Sequence, residues 1–61
     1  MLYPLDPEFP FAIYARQHEM LSFRIGPYAD LNFTRTQAER MAARDREALV
    51  VVDERTGQVV A

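Results

Sequence analysis

The sequence contains no cysteine and no lysine. Without cysteine there is no disulfide framework and no thiolate metal site. The single histidine, His18, does not make a structural zinc site without carboxylate help, so no metal and no cofactor is expected. Glycine is scarce: Gly26 and Gly57 stand alone, which excludes a glycine-rich phosphate loop. No apolar run approaches 18 residues, and no basic-then-apolar start is present. No membrane helix and no secretory signal are therefore visible, and the expected compartment is the cytoplasm.

The missing lysines leave seven arginines as the only basic residues, against nine Asp plus Glu, for a net charge of −2. Nucleic-acid binders of this size usually carry a basic surplus; this chain carries a small acidic one. With 61 residues it makes one domain at most, and such a domain buries only about 60% of its unfolded surface. Disulfides, metals and partner chains are the usual supplements. With the first two excluded, a partner surface remains. Nearly half the residues are apolar, so the sequence is a folding one.

Three of the four prolines fall within "MLYPLDPEFP", residues 1–10. Proline cannot donate to a ladder and biases its predecessor to extended geometry, which predicts an extended arm pinned by Leu2, Tyr3 and Leu5. Residues 11–61 read as one domain. Phe11, Ile13 and Ala15 alternate with Ala12, Tyr14 and Arg16; Leu21, Phe23 and Ile25 alternate with Met20, Ser22 and Arg24. Period two over both runs predicts two half-buried strands. Joining their apolar faces requires an odd loop, so Gln17–Glu19 is expected to pair Ala15 with Leu21, Ile13 with Phe23 and Phe11 with Ile25.

Gly26-Pro27 ends the second strand. Thr34 followed by Gln37 has capping-box spacing, and the Ala-rich stretch beyond it predicts a helix over 35–47. Ala38, Met41, Ala42 and Leu49 share a face. "LVVVDERTGQVVA" reads as a final hairpin turning at 54–57, with Gly57 supplying the positive φ. A four-residue loop sets Val52 opposite Val59 and Val51 opposite Val60. The expected fold is α+β: a ββαββ two-layer domain, an antiparallel sheet with one helix on one face. The second face, carrying Tyr14, Met20 and one valine set, is then left apolar and open.

The sequence offers no catalytic constellation. His18 sits in a predicted loop beside Glu19, with no nucleophile placed for activation. Asp53-Glu54 lies at a turn and Asp45/Glu47 at a helix end, where solvation and turn chemistry account for them. An enzyme is not expected. "FTRTQAERMA" resembles the strand-to-helix junction of the arm-site DNA-binding domain of phage integrases, which implies a DNA-binding accessory domain; the sheet face here offers only Arg16 and Arg24 for phosphates.

Taken as a chain from Met1 to Ala61, with "FTRTQAERMAARD" forming the helix and "VVDERTGQVV" the terminal hairpin, the sequence resembles the small phage-encoded anti-CRISPR proteins. That resemblance implies a non-enzymatic inhibitor that binds a type I CRISPR effector complex in the host cell and blocks target DNA engagement. Acidic residues would face the Lys/Arg that normally hold phosphate. The candidate partner-binding residues are Tyr14, Met20, Asp30, Glu39, Glu47, Asp53 and Glu54, with the acids expected to be exposed. A homodimeric structural module is the other reading, and direct nucleic-acid binding is not expected.

Overall fold

A computed structural model describes residues 7–61. The expected packing of Leu2, Tyr3 and Leu5 lies outside the described residues. Pro7 and Glu8 form a turn and Phe9 a bend. Pro10 is buried, and its carbonyl accepts from the Glu54 N–H at 2.7 Å.

The elements are β1 (Phe11–Gln17), β2 (Met20–Tyr28), α1 (Leu31–Asp45), β3 (Leu49–Asp53) and β4 (Gln58–Val59). They form one antiparallel four-stranded sheet in the order β2-β1-β3-β4, with α1 packed on one face. This is the small α+β fold expected of the ββαββ pattern.

The core lies between α1 and the two central strands. Ile13 and Val51, at 0% and 1% exposure, meet Ala38, with Phe11, Tyr28, Met41 and Leu49 packed around them. Alanine at 38 and 42 keeps the helix close to the sheet. The terminal hairpin has the expected register: Val52 opposes Val59 and Asp53 opposes Gln58. Beyond β4 the chain stays attached, Val60 N–H donating to the Val51 carbonyl at 2.8 Å and Val51 N–H to the Ala61 carbonyl at 3.0 Å.

β2 runs through Gly26-Pro27 to Tyr28 instead of ending there, as Tyr28 still pairs with Phe11, and three further local expectations are corrected. The helix begins a turn earlier than Thr34. Asp30 is the N-cap, its carboxylate accepting from the Phe33 N–H at 2.7 Å; aspartate caps better than threonine. Thr34 is instead buried inside the first turn, its hydroxyl donating to the Asp30 carbonyl. The helix stops at Asp45, because Arg46 turns left-handed (φ 55°, ψ 42°), the conformation that commonly ends helices.

The third correction is the β1–β2 register. The loop is two residues, His18 and Glu19, both at positive φ (51° and 69°), as a tight right-twisting hairpin requires. Gln17 opposes Met20, Arg16 opposes Leu21, and Tyr14 opposes Phe23. β2 is two residues longer than β1 over the paired region, and it absorbs the excess as two bulges, after which Ile13 meets Ile25 and Phe11 meets Tyr28. The first bulge turns Ile25 to the helix face while Leu21 and Phe23 stay on the other. Tyr14 and Phe23 gain an edge-on ring contact at 5.6 Å, worth about 0.5–1.5 kcal/mol.

Candidate partner-binding surface

The sheet face away from α1 is built by Tyr14 and Arg16 of β1, Leu21 and Phe23 of β2, Val50 and Val52 of β3, and Val59 of β4. It is less open than the sequence suggests. Val52 is buried and Val50 half-buried. Ala12 is buried too: a Cβ on Gly26 would stand 3.0 Å from the Ala12 Cα and Cβ, so β2 presses its backbone onto β1 here. Exposure concentrates on β2, where Met20 (72%), Phe23 (54%), Ile25 (42%) and Leu21 (39%) all reach solvent. A second apolar cluster sits at the start of α1: Leu31 and Phe33 are exposed, with the Phe33 ring 5.7 Å from Tyr28.

The seven candidate residues do not converge. Tyr14 and Glu54 do meet, the phenol donating to the Glu54 carboxylate at 2.6 Å, and Glu54 is half-buried rather than exposed as expected. That bond, helped by partial burial and the nearby negative charge, pushes the Tyr14 pKa up to about 12. Met20 opposes Gln17, which alternates with Tyr14, so Met20 and Tyr14 stand on opposite faces rather than one. Asp30 is exposed and occupied as the helix cap. Glu39 is exposed on α1. Glu47 is half-buried and accepts from Arg24 at 2.9 Å.

Asp53 departs furthest from expected exposure, at 8%. Its carboxylate accepts from the Arg55 N–H (2.9 Å), Nε (3.0 Å) and guanidinium terminus (2.8 Å). Its carbonyl accepts from the Thr56 and Gly57 amides. The Arg55 guanidinium holds the Asp53 carboxyl below the usual carboxylate range and lies 6.0 Å over the Phe11 ring. Asp53 therefore organises the turn. The acids that were candidates for meeting a basic partner are in large part holding this chain together.

Sequence reasoning missed Leu21, Phe23, Ile25, Leu31 and Phe33 as surface residues. The available signal was the unequal length of the two strand patterns, which forces bulges and breaks the shared face. Between α1, β3 and the Val60-Ala61 segment lies an open groove of about 340 Å³, floored by Ala38, Ala42, Val51 and Val60 and rimmed by Arg35 and Glu39. Among the described residues, no group of three His, Asp or Glu side chains is placed to hold a metal, and no helix is long and apolar enough to cross a membrane. Of the two sheet arginines, Arg24 is bound to Glu47. No protein-family model matches the chain, and no curated protein or solved structure matches it.

Proposed function

We propose that this chain is a small non-enzymatic inhibitor that works by binding another protein. One observation carries the reading. Among the described residues nine large apolar side chains are exposed, against six buried apolar ones, three of which are alanine. Scattered apolar exposure is ordinary, but rows of it on so small a chain mark interaction surface. The cluster at the start of α1 is the target contact of this reading: Phe33 and Leu31 project from a turn fixed by the Asp30 cap.

The resemblance to anti-CRISPR proteins gives the proposal its concrete form, occupancy of a type I effector complex so that target DNA is not engaged. The mild acidic surplus supports protein rather than phosphate as the partner. Cells carrying an active type I system and expressing the chain should become permissive to a targeted phage. The purified chain should suppress target-DNA binding by the reconstituted effector. Phe33→Asp should abolish both effects and leave the fold intact, since an acid in the first turn suits the helix dipole. Tight binding of the chain itself to duplex DNA, weakening steeply with salt, would transfer the reading to a DNA-binding accessory domain.

A further inference from the structure

The geometry points to a second copy of this chain as the occupant of the β2 edge. The inference rests on reading the exposed apolar surface as interface, and it assigns β2 separately from the α1 cluster.

β2 closes one side of the sheet, and no described strand lies outside it. Its outward main-chain groups are a template for another strand. The usual protections are thin. The chain has no lysine. Arg24, the only charged residue in β2, is drawn to Glu47. Pro27 lies at the far end, and the bulges begin only after Phe23. The stretch Met20–Phe23 is regular.

Closed two-fold pairing requires a strand that complements itself run backwards. β2 does so about Ser22. Opposed residues share a face, so Leu21 of each copy meets Phe23 of the other on the helix-free face, an aliphatic–aromatic pair made twice. Ser22 meets Ser22 on the helix face. Arg24 of each copy falls beside Met20 and Glu19 of the other, and the two Arg24 side chains stay about 13 Å apart along the strands. The scale also fits. A stable dimer takes roughly 800 Å² per partner, about one-sixth of the 4742 Å² surface. Pairing about Ser22 lays Met20–Arg24 of the two copies side by side, about 17 Å of strand.

Four variants test this on the full chain. By light scattering the unaltered protein should show twice its 7.1 kDa mass at tens of micromolar. Leu21→Glu should keep the fold by circular dichroism, since Arg16 stands opposite, and weaken association by about 30-fold or more, the scale of an interface hot spot. Ser22→Cys should form an intermolecular disulfide under mild oxidation, because directly opposed strand residues lie within disulfide reach; Glu39→Cys, on the outer helix, should cross-link far more slowly. A single-chain mass up to 100 μM overturns the inference. So does a dimer that ignores Leu21→Glu, or equal cross-linking of the two cysteine variants. If Leu21→Glu unfolds, the cysteine pair decides. Phe33→Asp should leave the mass unchanged, so loss of inhibition there and loss of dimer at Leu21 are separate failures.

Discussion

The two edges of the sheet are built on opposite plans. β4 is two residues long, follows a turn locked by Asp53 and Arg55, and is continued against β3 only by Val60 and Ala61. Shortness is a standard way to blunt an edge. β2 is nine residues long and exposes four large apolar side chains. The two hairpins differ in the same sense. The β3–β4 turn has a glycine where φ is positive, whereas the β1–β2 turn puts His18 and Glu19 there. The lesson is that a small domain can blunt one sheet edge with local turn chemistry and leave the other long and apolar.

The sharpest break comes from the glycines, one near each edge. Gly26→Ala should destabilise by about 3 kcal/mol or more, combining a strained φ of 148° with a Cβ driven onto Ala12. Gly57→Ala, at φ 75° in open space, should cost about 1–2 kcal/mol. Urea unfolding of both variants checks the order, and a larger loss at Gly57 would reverse the account of which strand is pressed into place.

Tyr14→Phe removes the bond that ties the centre of β1 to the β3–β4 turn. It should cost about 0.5–1.5 kcal/mol near neutral pH. Because the folded pKa is raised from 10.0 to about 12, the contribution is fully present below pH 10 and is lost as pH rises through about 12. The unaltered protein should therefore lose stability over that window more steeply than the phenylalanine variant in parallel melts. The smallest effect is a gain. Glu19→Gly relieves a positive φ of 69° and should stabilise by a few tenths to about 1 kcal/mol, read as a raised melting temperature; a fall would mean that Glu19 makes a contact worth more than the strain.

The sequence announced the helix and the last hairpin because each carries its own local signal: alanine-rich periodicity in one, Gly57 at a fixed offset in the other. The β1–β2 register was hidden because it depends on long-range terms. The ring contact between Tyr14 and Phe23, and two bulges that return Ile25 and Tyr28 to the helix face, outweigh simple alternation. Thr34 drew attention as a cap because of its spacing to Gln37, yet Asp30 four residues earlier is the better acceptor. Two of the acidic candidates find their partners far away in the chain. Arg24 and Glu47 are 23 positions apart, and Tyr14 and Glu54 are 40 apart, so no window of sequence shows either pair.

The edge-on packing of Tyr14 against Phe23 supplies a built-in probe. One ring's edge hydrogens point at the face of the other at 5.6 Å and 85°. Ring currents there should push those proton resonances upfield of random-coil positions. Since Phe23 stands on β2 and Tyr14 one strand inward, an occupant of that edge would move these signals, while one docking on the α1 cluster would move those of Tyr28 and Phe33. A single aromatic spectrum of the unlabelled protein, recorded as concentration or target is raised, can therefore tell which surface has been covered.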